Sequence, residues 1–426
     1  MRLISSDMYM HVDINGAYAA FETAMAPKLA DHPLLVLSNN DSMVIAMNQR
    51  AKNLGIKRGA PLFKCQELIK THRIAIRSSN FTLYEDYSNR FHETLEGYAA
   101  ATNRYSVDEC FMSLAGMSHL IDPERYGREI RSTLQHNLSL TCGVGVGMSK
   151  TLAKLATYAS KRWKATGGVV VLTDPARIQK LLSLVETREI WGIGKRISEH
   201  LGELGIKTGA QFTNTDVRFI RKTFGVQMER TWRELHGEPC FALDDSPPAR
   251  QQIIVSRSFG RRLTERHELH EAVSFFTARA AEQLRLDGSW ARQVMVFIQS
   301  SHFAKGPDRF STSGIEFLTS TQDTRDLNSA AIAILNRIYR PGIAYAKAGV
   351  VLSSMTDGTE QLSLFDERPV RPGSEALMKV MDRLNRQHRG TVFMLAEGIE
   401  QPFRMKQALL SPRYTTRWDE LPIARA

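Results

Sequence analysis

The sequence predicts an α+β protein of several domains, and three features of the chain lead to this prediction. Its 426 residues are enough for two to four domains with sizeable cores. Short apolar strand-like runs alternate with longer helical patterns up to about residue 172, and again after residue 250. Between them, residues 174–243 have helical patterns throughout. The first alternating stretch fits a sheet with helices on one face, as in ferredoxin-like domains.

The composition favours a polyanion as partner and a reducing compartment. Lys and Arg number 56 against 45 Asp and Glu, a formal net charge of +11. Such a surplus favours nucleic acid, although basic proteins without that role are common. The four cysteines form no CxxC pair, so neither a zinc framework nor a disulfide pattern is indicated. With no signal peptide and no bilayer-length apolar run, we expect a cytoplasmic protein without a membrane partner.

Two acidic segments predict a metal site. In Arg104–Leu114, β-forming residues surround the adjacent acids Asp108 and Glu109. A second short strand, Tyr9–Val12, runs directly into Asp13. Carboxylates near strand ends supply the hard oxygen ligands that Mg²⁺ prefers. Adjacent residues of a regular strand point to opposite faces, so both acids reach one site only at a bend, a strand end or a tight hairpin turn. The alternative is an exposed acidic turn.

The elements between these acids follow from their patterns. Residues 14–22 have helical content and place Tyr18 about one turn from Asp13. A small, turn-rich segment then interrupts a larger unit, which resumes near residues 73–76. The predicted strands are 33–37, 44–46 and 73–76, and the predicted helices are 48–54, which Gly55 ends, 83–100 and 123–137.

A glycine-rich strand and a lysine-bearing helix follow. Residues 140–147 carry glycine at every second position from Gly143, which leaves one face without side chains. This stripe admits either a close-packed helix or a ligand, and packing is the favoured interpretation. Ser149 is expected to cap a helix from Lys150 to about residue 162. Its lysines are explained by a solvated basic face or by a phosphate-facing role.

The helical middle of the chain contains a motif typical of DNA-binding hairpins. In Ile190–Arg196, Gly192 and Gly194 flank an isoleucine, and Lys195 and Arg196 follow. Glycines at such a turn let a phosphate approach backbone N–H groups at a helix start. We therefore predict a helix-hairpin-helix that binds DNA.

A second α+β unit begins after a linker at residues 244–248. Its predicted strands are 253–262, 292–299 and 346–352, and its predicted helices are 269–285 and 326–339. Arg257, Arg261 and Arg262 lie on the first strand, where they either bind a DNA backbone or form a solvated edge.

The last part of the chain carries apolar residues in a polar context. Gln361, Leu362, Leu364 and Phe365 belong to a run whose exposed side chains need a partner, which favours a docking peptide over a local core contact. An amphipathic helix is predicted at residues 374–386, and the tail 410–417 is basic.

Together these motifs resemble those of the Y-family DNA polymerases, and within that family the UmuC branch, the catalytic subunits of bacterial DNA polymerase V. The resemblance covers essentially the full length. The shared family motifs are Val12–Asp13, Tyr105–Glu109, the glycine strand with its lysine helix, Trp191–Gly194 and Gln361–Phe365. Segments specific to the branch are Ser38–Asp41, Ile220–Lys222, Gly237–Cys240, Arg371–Glu375 and Ser411–Arg417.

The resemblance implies a right-hand polymerase with a ferredoxin-like palm, small fingers, a helix-hairpin-helix thumb and an α+β little finger. The implied boundaries are 1–20 and 75–172 for the palm, 21–74 for the fingers, 173–243 for the thumb, 247–354 for the little finger and 355–426 for a clamp-binding and partner-binding region.

The resemblance also implies the chemistry and its residues. Asp13, Asp108 and Glu109, with the backbone carbonyl of Ile14, would hold two Mg²⁺ ions for nucleotidyl transfer from a dNTP to a primer on template DNA. Tyr18 falls at the steric-gate position that excludes ribonucleotides.

Further implied contacts concern the triphosphate and protein partners. Lys161 aligns with a lysine that contacts the triphosphate, and Lys52 aligns with a basic residue of the fingers that does the same. Gln361–Phe365 aligns with the sliding-clamp motif. The family also works with a UmuD′-like dimer and RecA in error-prone synthesis past DNA damage, in an SOS-type response. Gly16 and Ala17 replace bulkier residues before the gate.

Two other functions remain open at this point. A non-catalytic DNA-binding or regulatory protein on the same scaffold would be expected to lose at least one of the three acids. A metal-dependent nuclease could use similar carboxylates, but it would need neither an aromatic gate nor a clamp motif.

Overall fold

The computed structural model describes residues 8–117, 120–243, 250–301, 304, 309–358, 371–387, 390–401, 403 and 405–421. The chain forms two compact units, one of residues 1–38, 42–246 and 408–426 and the other of residues 39–41 and 247–407. The predicted linker at 244–248 and the predicted clamp motif at 361–365 lie outside the described residues.

The described strands of the first unit form two sheets. They are β1 (Tyr9–Ile14), β2 (Leu34–Leu37), β3 (Val44–Met47), β4 (Ala75–Ser78), β5 (Ala101–Arg104), β6 (Glu109–Ser113), β7 (Cys142–Gly147) and β8 (Val169–Leu172). The larger sheet has the order β5-β6-β1-β7-β8, with β1 antiparallel to both of its neighbours and β7 parallel to β8. The smaller sheet has the order β3-β2-β4.

The position of β4 differs from the sequence-based expectation. The segment around residues 73–76 was expected to resume the larger unit, but β4 pairs in parallel with β2, with Leu34 opposite Ala75. The smaller sheet therefore extends past the predicted boundary at residue 74. Parallel pairing joins strands that are distant in sequence, so local patterns do not indicate it.

The helices of the first unit cover both faces of the larger sheet. They are α1 (Ala17–Met25), α2 (Gln49–Asn53), α3 (Gln66–His72), α4 (Phe81–Glu96), α5 (Pro123–Leu138), α6 (Lys150–Arg162), α7 (Pro175–Leu184), α8 (Lys195–Glu203), α9 (Gly209–Thr213), α10 (Val217–Phe224) and α11 (Val226–Leu235). Helices α4 and α5 share one core with β1 and β7. Helix α6 lies on the opposite face and shares a second core with β8 and α7 to α11. The prediction of helices on one face only is therefore wrong.

The glycine stripe of β7 explains how α6 comes so close to the sheet. A Cβ on Gly145 would lie 2.2 Å from both the carbonyl oxygen of Ala153 and the backbone nitrogen of Thr157 in α6. Gly147 likewise faces the start of this helix. The helix backbone thus occupies the space that side chains would fill, which confirms packing as the reason for the stripe.

The second unit is an antiparallel sheet with helices packed against it. Its elements are β9 (Gln252–Leu263), α12 (Arg266–Leu286), β10 (Trp290–Ser300), β11 (Ser311–Thr321), α13 (Thr324–Ile338), β12 (Tyr345–Thr356) and α14 (Ser374–Gln387). The strand order is β11-β10-β12-β9. Strand β11 was not predicted, because Ser and Thr make up most of its sequence and give no clear apolar pattern. Its exposed side chains include Phe317 and Ile315. Across the described residues, no helix combines the length and apolar character that a membrane span requires.

Candidate active site

The three predicted acids lie at the same end of the larger sheet. Asp13, near the end of β1, lies directly opposite Glu109, the first residue of β6. The backbone N–H of Ile14 donates to the carbonyl oxygen of Asp108 at 3.0 Å. Residues 105–108 form the connection between β5 and β6, where the N–H groups of Tyr105 and Ser106 both donate to the Glu109 carbonyl. The expected tight hairpin turn is confirmed, and it is what brings adjacent acids to one site.

Two lysines of α6 neutralise these acids. The Nζ of Lys161 lies 2.5 Å from Asp13 Oδ1 and donates to the carbonyl oxygen of Ile14 at 3.1 Å. The Nζ of Lys154 lies 3.1 Å from Glu109 Oε1. Asp108 instead accepts a hydrogen bond from Ser106 Oγ at 2.8 Å. Lys154 and Lys161 of this helix therefore direct their charges to the acidic site.

The electrostatic state of Asp13 reflects this arrangement. Burial raises its pKa to about 6, the charge of Lys161 lowers it, and the neighbouring charges of Glu109 and Asp108 raise it again. Like charges raise the pKa of a carboxyl group only when they are close. Burial is thus the main reason for the raised pKa of Asp13, and the two neighbouring acids add to it.

The donor set fits Mg²⁺ in its chemistry. No three His, Cys, Asp or Glu side chains in the described parts of the chain converge as a ready-made metal cluster. Lys161 and Lys154 engage the carboxylates of Asp13 and Glu109. Lys161 is a cation held jointly by a carboxylate and the carbonyl of Ile14, which are hard oxygen ligands of the kind that Mg²⁺ takes.

Tyr18 lies beside the acidic turn, and its ring packs against two other aromatic rings. Gly16 precedes α1 in a left-handed conformation with φ of 61°, and a Cβ there would lie 3.0 Å from the carbonyl oxygen of Met47. The ring of Tyr18 stacks on Tyr84 at 4.6 Å and 14°, and the Phe81 ring meets it edge-on. Burial raises the pKa of Tyr18, and the charge of Asp108 raises it further.

Sequence reasoning missed two residues that support the acidic turn. Trp191 donates from Nε1 to the hydroxyl of Tyr105 at 3.0 Å, and Lys154 lies 4.1 Å above the Tyr105 ring. His11 is fully buried, and its Nδ1 lies 3.0 Å from Thr157 Oγ1 while its Nε2 lies 3.8 Å from Glu109 Oε1. Burial lowers the pKa of His11 well below its usual range. No motif singled out His11, which lies between the apolar residues Met10 and Val12, whereas Trp191 was noted only as part of a motif.

A cavity of about 380 Å³ opens beside the acids. It lies between β1, α6 and the segment that precedes α8, and its lining includes Asp13, Lys154, Lys161, Arg162 and Trp191. Three cationic side chains thus line this cavity together with Asp13.

The remaining predicted residues lie apart from this cluster. Lys52 is exposed on α2, and no described contact joins it to the acids. Gly192 has φ of 89°, and Gly194 caps α8, where Lys195 and Arg196 are exposed. These positions agree with the predicted helix-hairpin-helix turn.

The three arginines of the second unit are exposed along β9. They are Arg257, Arg261 and Arg262. Arg261 is engaged by an ion pair with Glu268, which lies in the first turn of α12.

Comparisons with known proteins agree over nearly the whole chain. The impB/mucB/samB family matches residues 12–158, its C-terminal domain matches residues 250–364, and a domain of unknown function matches residues 375–424. Protein MucB of Salmonella typhimurium is 46% identical, over 98% of this chain and 99% of its own. Protein UmuC of Salmonella typhimurium is 44% identical, over 97% and 99%. DNA polymerase IV of Caulobacter vibrioides is 25% identical, over 82% and 83%.

Solved structures with the same fold are Y-family polymerases. A chimera of the Y-family DNA polymerases Dbh and Dpo4 aligns with a TM-score of 0.64 and 20% identity, over 82% of this chain and 99% of the chimera. A ternary complex of Dbh DNA polymerase aligns with a TM-score of 0.54. The chain therefore belongs to the impB/mucB/samB family of Y-family DNA polymerases and is a DNA-directed DNA polymerase.

Proposed function

We propose that this polymerase extends primers opposite damaged template bases by two-metal nucleotidyl transfer, with Asp13, Asp108, Glu109 and the carbonyl of Ile14 as the metal ligands. The observation that carries the proposal is the cross-strand pairing of Asp13 with Glu109 beside the hairpin turn that holds Asp108. Two bound Mg²⁺ ions would lower the pKa of the primer 3′-hydroxyl and neutralise the triphosphate with its leaving group.

The residues of the chain supply charge, position and shape. Lys161 and Lys154 lie beside the carboxylates and provide cationic groups for the nucleotide phosphates. His11 and Thr157 fix the β1 side of the site through a buried hydrogen bond. Held by stacking on Tyr84, Tyr18 presents a flat ring that would exclude a ribose 2′-hydroxyl.

Several contacts remain proposals that rest on the sequence and its resemblance to the family. Lys52 would face the triphosphate from α2. The backbone at Gly192 and Gly194, with Lys195 and Arg196, would bind the DNA backbone.

Contacts with partner proteins and with DNA from the second unit are proposals of the same kind. Residues 361–365 would dock on the sliding clamp, and a UmuD′-like dimer and RecA would be partners in an SOS-type response. Arg257, Arg261 and Arg262 would bind DNA from the second unit.

Primer extension tests the catalytic site. The full chain is assayed with Mg²⁺ and dNTPs on undamaged and damaged templates, with a UmuD′-like dimer and RecA filaments supplied. We expect Asp108→Ala to lower the rate about a thousandfold or more, because several kcal/mol of transition-state charge stabilisation are lost.

The matched control is Asp86→Ala, which removes an acid of the same type that pairs with Arg90 on α4. The rate of this control should stay within about twofold, as expected for an exposed pair. Full activity of Asp108→Ala would remove the proposed site. No extension by the wild type would favour the non-catalytic DNA-binding protein.

A further inference from the structure

The C-terminal segment 408–421 is hydrogen-bonded to the rest of the first unit near Tyr18, the proposed gate residue. The backbone N–H of Ser78, at the end of β4, donates to the carbonyl oxygen of Leu409 at 3.0 Å. In return, the N–H of Leu409 donates to Ser78 Oγ at 3.0 Å. A parallel bridge pairs Ser78 with Leu410. The segment therefore continues the smaller sheet by one short bridge, more than three hundred residues away in sequence.

Asn80 joins this segment to the start of α4. Its Oδ1 accepts from the N–H of Leu83 and so caps the helix. Its Nδ2 donates to both the carbonyl oxygen and the Oγ of Ser411, at 3.1 and 3.0 Å. The hydroxyl of Ser411 accepts this bond and remains able to donate one of its own.

Ser411 donates that hydrogen bond to a buried carboxylate. Its Oγ lies 3.0 Å from Oε1 of Glu22, and the hydroxyl of Tyr84 donates to the same oxygen at 2.8 Å. Glu22 is 1% exposed, and Arg77 lies 3.9 Å from its other oxygen. A buried carboxylate needs such donors, because an unsatisfied one is costly. Burial raises the pKa of Glu22, whereas Tyr84 and Ser411 lower it.

Tyr84 links the hydrogen bonds of Glu22 to Tyr18, the proposed gate residue. It is 1% exposed, and its ring lies parallel to that of Tyr18 at a centroid distance of 4.6 Å. One hydrogen bond therefore fixes the hydroxyl of Tyr84, and stacking fixes Tyr18 on the ring of Tyr84. Without the Ser411 hydroxyl, Glu22 keeps Tyr84 as its described hydrogen-bond donor and loses one of the two bonds to its Oε1, so the carboxylate holds the Tyr84 hydroxyl less firmly.

We propose that Ser411 is a positioning residue of the active site. Through Glu22 and Tyr84 it orients Tyr18, so that the C-terminal domain, whose function is unknown, sets how strongly the polymerase rejects ribonucleotides. The inference rests on the proposed function, because it takes Tyr18 as the gate.

Single-nucleotide incorporation tests the proposal. The full chain with its accessory proteins is given dCTP or rCTP opposite a template guanine, and kcat and KM are measured for each. We expect Ser411→Ala to lower the ratio of kcat/KM for dCTP to that for rCTP about threefold to tenfold, the effect of losing part of one hydrogen bond to a charged group. Ser411→Thr, which keeps the hydroxyl, should restore the ratio.

Tyr84→Phe gives a second, independent variant. It keeps the stacked ring and removes the hydrogen bond to Glu22, so its discrimination should fall by a similar factor. The double variant with Ser411→Ala should fall by less than the product of the two single effects, because both act through Glu22. Asp419→Ala is the control within the segment, since this residue pairs only with nearby Arg417 among its described ion pairs and should leave the ratio unchanged. If Ser411→Ala proves too unstable to assay, Tyr84→Phe carries the test.

Three outcomes would overturn the inference. An unchanged ratio in Ser411→Ala, with Tyr18→Ala raising rCTP use, would refute it and leave the proposed gate intact. Equal losses of kcat/KM for dCTP and rCTP in Ser411→Ala would show that Ser411 has only a structural role. An unchanged ratio in Tyr18→Ala would refute the gate itself, and this inference with it.

Discussion

Gly145→Ala tests whether the sheet and α6 are packed as closely as the structure describes. The added Cβ would lie 2.2 Å from the carbonyl oxygen of Ala153 and 2.2 Å from the backbone nitrogen of Thr157. Both atoms belong to the helix backbone, so no flexible side chain can move aside. Ordinary contacts of a Cβ begin near 3.4 Å. The helix must therefore retreat from β7 by about 1 Å to accept one methyl group.

The expected loss of stability follows from the contacts that this movement of α6 disturbs. Overpacking a well-packed core by one methyl typically costs about 1–3 kcal/mol. The retreat also stretches the buried hydrogen bond between His11 and Thr157, which contributes about 1 kcal/mol. We expect the free energy of opening this part of the sheet to fall by about 2–4 kcal/mol. Polymerase activity should fall as well, because α6 carries Lys154 and Lys161.

Hydrogen exchange measured by mass spectrometry is the suitable assay, because a protein with two compact units need not unfold in one step. Peptides that cover residues 142–162 should lose protection, whereas peptides from the second unit should not. Gly202→Ala is the matched control, since nothing lies within 4 Å of a Cβ there and the residue is in the last turn of α8. It should stabilise its helix by about 0.5 kcal/mol. A loss below about 0.5 kcal/mol in Gly145→Ala would refute the close packing.

Two further predictions concern charges. Lys154→Met removes a cation that competes with metal ions for Glu109. The affinity of the protein alone for Mn²⁺, measured by electron paramagnetic resonance, should therefore rise about twofold to fivefold. A lower affinity would contradict this competition. Burial raises the pKa of Asp323, but hydrogen bonds from Arg325 and Ser374 and the charge of Arg325 outweigh it and lower the pKa to about 2. Because this folded-state pKa is depressed, the charge stabilises the second unit above pH about 4 and its contribution is lost as the pH falls toward 2. The stability difference between the wild type and Asp323→Asn, from urea unfolding of each, should therefore shrink over that interval, and a constant difference would contradict the assignment.

Local signals in the sequence predicted local structure well. Ser149 accepts from the N–H of Leu152 and caps α6, as expected from its position before the helix. Asn48 caps α2 in the same way, and Gly55, with φ of 80°, follows its end. The turn at the two adjacent acids was also predictable, because a regular strand cannot direct both side chains to one site.

Features that depend on distant neighbours were not predictable in this way. The lysines of α6 look like a solvated face, because nothing in residues 150–162 indicates that acids lie opposite. Lys150 is only 5% exposed and donates to the carbonyl oxygen of Ala242. Ser411 has no local reason to touch Glu22, which lies almost four hundred residues earlier. Such contacts follow from which elements become neighbours, and that depends on the packing of the whole unit.

The ion pairs of α6 link nucleotide binding to the acids under the proposed function. Lys161 Nζ lies 2.5 Å from Asp13 and also holds the Ile14 carbonyl, so both oxygens are occupied by one ammonium group. The ammonium group spends two of its three donors on these oxygens, so a triphosphate that takes more than the third donor weakens the pair with Asp13. A nucleotide that draws Lys161 away therefore leaves the Asp13 carboxylate, whose pKa burial has raised to about 6, in need of another cation. The affinities for nucleotide and for divalent cation should consequently rise together, and Lys161→Met should uncouple them.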